Sequence, residues 1–348
     1  MASLTEAAYF SRRIIKYGTI VIVCLLFLRL GIGIFTAWWK RVHPPPPPPV
    51  TVEFGKLPVP FTTEGETSVK FRLETATGEL GEFGPQTDVY LIPAKRGSLL
   101  AFERATDLAA KLAFVSEPLR LSDTVYRFSN DEPLPSTLEM DLVSGYFTLD
   151  ANWQVKPELL SLAKPPSESE AIAAARGWLS GIGILEDDLA SGEAKVTYLK
   201  VSGTEVVPAL SQSEAKFVRV DLFRKSLEDA RILPSNPGQG LVRVVFLDTR
   251  STRTQVIHGG YRYFPVDYTQ TATYPLISVE TAWKRLSQGK AFFAFLPNDL
   301  SEITIRRVSL DYFDPPEAGG FLQPIFVFEG DQGFLGYVPA IADEWIQE

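Results

Sequence analysis

Histidine is the commonest general base near neutral pH, and this chain of 348 residues has two. His43 abuts six consecutive prolines, and His258 lies in the stretch VIHGGYRYF. A nucleophile needs a base within hydrogen-bond reach and a third group that orients the base, and no motif brings such partners to either histidine. His258 is therefore expected to be structural or at the surface, at a strand irregularity made by Gly259 and Gly260. The single cysteine, Cys24, lies inside an apolar run, so everything beyond it lacks a thiol nucleophile, a disulfide and a thiolate metal site. Acids cluster at Glu186, Asp187 and Asp188, and again at Asp311, Asp314 and Glu317. Paired carboxylates could act as acid and base or hold calcium, but in so acidic a chain the simpler expectation is solvated loop acids. H-E-x-x-H, P-loop, G-x-S-x-G and EF-hand patterns are all absent, so the sequence assigns no catalytic residue, no metal ligand and no cofactor.

The address is clearer than the chemistry. Tyr17 to Trp39 carries one charge, Arg29, in twenty-three residues. As a helix it would measure about 35 Å, enough to cross a hydrocarbon core of about 30 Å, and a helix is the form in which one segment can cross alone. Residues 17–39 are thus expected to be an uncleaved transmembrane anchor in the lipid bilayer, behind a tail of residues 1–16. Arg12, Arg13 and Lys16 before it outweigh Lys40 and Arg41 after it, which favours a cytoplasmic N-terminus and an extracytoplasmic body. Leu25, Arg29, Gly33 and Ala37 follow at i+4 intervals and form one stripe whose small residues would admit a partner span, with Arg29 meeting an acid or carbonyls of that partner; the alternative is a strongly apolar helix that tolerates one arginine by letting it snorkel to the interface. Pro44 to Pro49 predict a polyproline II spacer of about 19 Å within residues 40–60. Six of the 34 bases and one of the 42 acids lie in residues 1–43, so the remainder is acidic by 13 charges, which argues against a nucleic-acid partner.

The body reads as α+β, a first subdomain over 61–163 and a second region over 164–348 with two helix-and-sheet units. Its first helix is expected over 100–114, with Ala105, Leu108, Ala109 and Leu112 on one face, followed by TVYRF and a hairpin in LEMDLVSGYFTLD turning at Ser144 and Gly145. The second opens at Ser167 with Glu170 as a capping box, buries Ile172, Ala175, Leu179 and Ile182, and stops at Gly181 and Gly183. KVTYLKV, FVRVDLF, LVRVVFLD and YRYFPV then read as strands, with LPSNPGQG (233–240) as an irregular insertion. The third helix starts at Ser278, places Val279, Ala282, Trp283 and Leu286 on one side, and stops at Gly289. In EITIRRVSLDYF the apolar phase slips by one at Arg306 and Arg307, which predicts a bulge. LQPIFVFEG and FLGYVPAI complete the strands.

The order of ISVETAWKRLSQGK, ITIRRVSLDYF and FLQPIFVFEGDQGFLGYVPAI resembles the C-terminal units of YycH- and YycI-type membrane-anchored regulators, which are PepSY-like. FGKLPVPF and the layout that follows it resemble uncharacterised single-span membrane proteins of candidate-phylum bacteria. The resemblance implies a single N-terminal anchor and an extracytoplasmic body that binds another membrane protein, a sensor kinase in those regulators, and it transfers no catalytic residue. The function expected is regulation of an envelope complex through protein contacts. An envelope enzyme or protease-inhibitor-like module, and a passive structural tether, are the alternatives.

Overall fold

A computed structural model describes residues 16–18, 22, 25–36, 38–39, 49–63, 69–203, 205–249, 252–298 and 300–347. Residues 1–49 and Val50–Glu348 form two separate units. In the first, residues 25–36 are helical, and Leu26, Phe27, Leu28 and Leu30 are each 60–70 % exposed. Twelve residues of helix span about 18 Å, and among the described residues no helix is long and apolar enough to cross a membrane.

The second unit runs β1 (Lys70–Leu73), β2 (Gln86–Leu91), α1 (Ala101–Lys111), β3 (Leu119–Arg120), β4 (Val125–Asn130), β5 (Ser136–Asp141), β6 (Phe147–Ala151), α2 (Glu158–Leu162), α3 (Glu168–Ile182) and α4 (Asp187–Ser191). It continues through β7 (Ala194–Ser202), β8 (Glu205–Pro208), β9 (Phe217–Leu222), β10 (Ile232–Pro234), β11 (Val242–Thr249), β12 (Thr252–Tyr261) and β13 (Asp267–Pro275). Helix α5 (Val279–Ser287) precedes β14 (Phe292–Phe295), β15 (Glu302–Asp314), β16 (Phe321–Gly330) and β17 (Leu335–Pro339).

These strands make two sheets. One has nine strands, β3-β4-β5-β6-β12-β11-β9-β7-β8, every neighbour antiparallel. The other has eight and is mixed, because β1 and β10 both pair parallel with β15. Helices α1 and α3 lie on one face of the nine-stranded sheet, where Ala105, Ala109, Ala175 and Leu179 meet Phe128, Leu138, Val220 and Val244. Helix α5 covers the eight-stranded sheet, setting Val279, Ala282 and Leu286 against Ile303, Ile305 and Phe328. Each such fully buried large apolar side chain contributes about 1.5–3 kcal/mol. Strand β16 is covered on both faces, which is why Leu322 to Phe328 form an unbroken buried run instead of an alternating one.

Local signals account for the ends of the helices. Helix α3 starts with the Ser167–Glu170 capping box and ends at Gly183, whose φ of +79° is left-handed; Gly181 lies inside its last turn rather than stopping it. Ser278 caps α5 by accepting from Thr281 N at 3.2 Å. The bulge in β15 falls between Ile305 and Arg307, as the phase slip predicts.

Four expectations are corrected. YRYFPV is not a strand: Tyr261 closes β12, and residues 262–266 leave the sheet. No break between sheets occurs at 163–164, because β6 pairs with β12 and joins the two predicted regions edge to edge. Residues 50–60 belong to the body instead of the spacer, with Leu57 fully buried and bridged to Ile346. The three predicted helix-and-sheet units become two sheets, since the strands after the first and second helices merge into one.

Candidate functional site

The two sheets are joined by a strap, residues 223–240. After β9 the chain leaves the nine-stranded sheet, adds β10 to β15 of the other, and returns through Pro234 to Gly240 into β11. Gly240 makes the return tight, since a Cβ there would lie 2.5 Å from Leu222 O. Two arginines bracket the crossing.

Arg224 has no exposed side-chain surface. It donates from Nε to Asp314 Oδ2 at 3.0 Å, from Nη1 to Asp188 Oδ2 at 2.9 Å and from Nη2 to the Phe264 carbonyl at 2.6 Å. Its guanidinium also faces the rings of Tyr263 and Phe264 at 4.7 and 4.9 Å. Burial by itself would lower the Arg224 pKa, but Asp314 and Asp188 outweigh it and hold the group above the ordinary arginine value. Burial raises the Asp314 carboxyl, with Arg224 acting against the rise. The nearby Tyr146 phenol is pushed up to about 12 by burial and by the charges of Asp314 and Glu317.

Arg231 sits at the other end of the crossing. Its backbone N–H donates to Asp311 Oδ1 at 2.8 Å, and its Nη2 reaches Asp311 Oδ2 and Glu329 Oε1, both at 2.6 Å. Here too burial would lower the pKa, and the bond to Asp311 and its charge raise it.

Asp188, Asp311 and Asp314 are therefore not solvated loop acids. Asp311 and Asp314 are buried and Asp188 is half-buried, whereas Glu186, Asp187 and Glu317 stay exposed. The two acid clusters are in fact brought together, but only through Asp188 and Asp314 on Arg224. Asp311 and Asp314 are three apart on a strand, so they point to opposite faces and serve different arginines. Among the described residues no group of three or more His, Cys, Asp or Glu could hold a metal ion. A cavity of about 370 Å³ opens beside the strap, lined by Glu168, Lys195, Phe223, Arg224, Arg231 and Pro234. Both of its arginines are already neutralised by carboxylates, so the arrangement is suited to holding the strap between the sheets.

His258 lies within β12, one residue after the bulge at Ile257, so the irregularity does not come from Gly259 and Gly260. Gly259 instead makes room for Trp178, whose ring a Cβ would meet at 3.0 Å. His258 Nδ1 is 2.7 Å from Asp150 Oδ1, its partner across the β6–β12 ladder, and this pair is 35 and 61 % exposed. Of the predicted membrane stripe, Leu25, Arg29 and Gly33 lie on the helical run 25–36 and are exposed; Ala37 lies outside the described residues, as do Cys24, His43 and Pro44 to Pro48. Sequence reasoning missed Arg224 and Arg231, the two side chains at the centre of the networks.

No family model matches the chain, and no curated protein matches it. Among solved structures, an uncharacterized protein from Eubacterium rectale ATCC 33656 is similar with a TM-score of 0.32 and 9% identity, over 73% of this chain and 82% of that one. Similarity at that level defines neither a shared fold nor a shared activity.

Proposed function

We propose that the protein is a single-pass membrane protein whose extracytoplasmic body regulates or scaffolds an envelope complex through protein contacts. The observation that carries this reading is the run from Tyr17 to Trp39, whose described helical part leaves its leucines and phenylalanines uncovered, ahead of a large folded body. Uncovered apolar surface of this kind is lipid-facing or partner-facing. The buried charges around the strap support the same reading, since Arg224 and Arg231 are occupied by Asp188, Asp314, Asp311 and Glu329. In this reading the stripe through Leu25, Arg29, Gly33 and Ala37 meets a second span, and the partner is a membrane protein such as a sensor kinase.

Alkaline carbonate extraction of native membranes tests the anchor. The full-length chain should stay in the pellet, and its release into the supernatant overturns the reading. Protease treatment of intact cells should remove the body while sparing the tail; full protection refutes the placement. A photocrosslinker at Arg29 should capture a membrane protein, and capture should be lost when Gly33 is replaced by leucine.

A further inference from the structure

A basic cleft opens where the first turn of α1 faces the β5–β6 turn, at a distance in sequence from the strap and its arginines. It encloses about 330 Å³ and is lined by Lys95, Arg96 and Arg104 together with Leu108, Met140 and Val143. Three cations on one cleft stand out in a body acidic by 13 charges. Among the described residues Arg96 and Arg104 have no ion-pair partner, and both side chains are exposed. Lys95 is half-buried, held by the carbonyls of Ser144 and Tyr263 and facing the Tyr146 ring at 5.6 Å. Burial lowers its pKa, with Glu186 acting in the opposite sense.

The carboxylate that lines the cleft, Asp141, is turned into the hairpin. It accepts from Val143 N at 2.9 Å, Ser144 N at 2.7 Å and the Thr124 hydroxyl at 2.8 Å, and it forms no ion pair with either arginine. Ala101, the first residue of the eleven-residue helix α1, also lines the cleft, and the positive end of the helix dipole adds to the field. The neighbouring chain is apolar: Leu99, Leu100 and Phe102 are 104, 51 and 44 % exposed, on the segment that carries Ser98 and Ala101 of the lining. Unpaired arginines beside exposed large apolar side chains are the composition of a protein contact site.

We infer that this cleft receives a short segment of a partner protein in which carboxylates neighbour bulky apolar side chains. The carboxylates meet Arg96 and Arg104, and the apolar side chain covers Leu100 and Phe102. The volume lies at the small end of ligand pockets and suits one or two side chains rather than a folded domain. The inference deepens the proposed function, since it rests on the body being a binding module and specifies what it binds.

The test is fluorescence anisotropy on the full chain in phosphatidylcholine nanodiscs. The probe is a labelled eight-residue peptide with two aspartates beside leucine and phenylalanine. Arg96→Ala and Arg104→Ala should each weaken its binding about tenfold, and the double variant more, as expected for lost charge-assisted bonds. Because both side chains are exposed, circular dichroism should be unchanged, and Arg104→Glu offers a second variant of opposite charge. Equal binding by a peptide with lysines in place of the aspartates overturns the inference, as does unaltered binding in the double variant. Full displacement by inorganic phosphate would assign the cleft to a small anion, and displacement by phosphatidylglycerol vesicles would assign it to lipid; either result also overturns it. If the peptide fails while crosslinking at Arg29 still captures a partner, the anchored reading stands without the cleft. If the peptide binds a chain that carbonate releases, the cleft stands without the anchor.

Discussion

Replacing Arg224 with methionine keeps most of the side chain's apolar length and deletes the one charge that faces both Asp188 and Asp314. Removing one member of a buried ion pair costs about 3–5 kcal/mol, because the remaining charge is left uncompensated in a poorly hydrated site. The structure places this case toward the upper end. The Asp314 side chain is 3 % exposed and Asp188 13 %, so neither carboxylate is well hydrated, and the Phe264 carbonyl loses its donor as well. Against a total stability of about 5–15 kcal/mol, that is a third or more. The pH dependence has a definite sign. Asp314 is raised by burial in the folded state, and deleting Arg224 removes the charge that opposes the rise. A carboxyl raised on folding contributes stability that is present below its unfolded pKa, near 4, and is lost as pH climbs through the folded value. The deficit of Arg224→Met should therefore be smaller near pH 4.5 than at pH 7.5, with the lost donor to the Phe264 carbonyl contributing at both. Urea unfolding followed by circular dichroism at both pH values measures it, and adding Asp314→Asn should restore part of the loss. A deficit under about 1 kcal/mol at pH 7.5, or one that grows toward acid, would refute the account of Arg224 as the joint of the two sheets.

Three other substitutions probe the same framework. Gly240→Ala would push a Cβ to 2.5 Å from Leu222 O and 2.7 Å from Leu222 N, so it should destabilise by about 1–3 kcal/mol, and an unchanged melting temperature would deny the close approach of strap and strand. Ser167→Ala breaks the capping box in which Ser167 N and Oγ both donate to Glu170, and it should cost about 1 kcal/mol in chemical unfolding. His258→Ala removes a cross-strand pair that is largely exposed and should change stability by no more than about 0.5 kcal/mol; a loss of several kcal/mol would mean that His258 has partners beyond Asp150.

The helices were legible because their signals are local. Ser167 and Glu170 are three residues apart, Gly183 ends the helix they begin, and Val279, Ala282 and Leu286 share one face by period alone. The bulge of β15 could also be read, since a slip of apolar phase is contained within six residues. Strand β12 could not. TRTQVIHGGY lacks apolar alternation, because its bulge at Ile257 breaks the period and Gly259 substitutes space for Trp178 where a side chain would be expected. Strands β2 and β13 were missed for a different reason. QTDVYL and DYTQTATYP are half polar, and each is defined as a strand mainly by the other, from far along the chain.

The charged seam shows where strand phase could have carried the reading further than composition did. Arg224 lies 36 residues from Asp188 and 90 from Asp314, so nothing local marks the three as neighbours. Asp311 and Asp314 are a different matter. With β15 expected to end at Phe313, Asp314 was free to be a loop acid beside Glu317; once the strand runs through Asp314, the odd spacing sends the two carboxylates to opposite faces. A calcium loop or a general acid–base pair needs its carboxylates on one side, so that geometry removes both chemistries for this pair. It also requires each buried carboxylate to find its own cation, because a buried charge persists only when it is paired. Segment 223–240 meets that requirement by carrying Arg224 at its start and Arg231 seven residues on, one for each face of the strand it crosses.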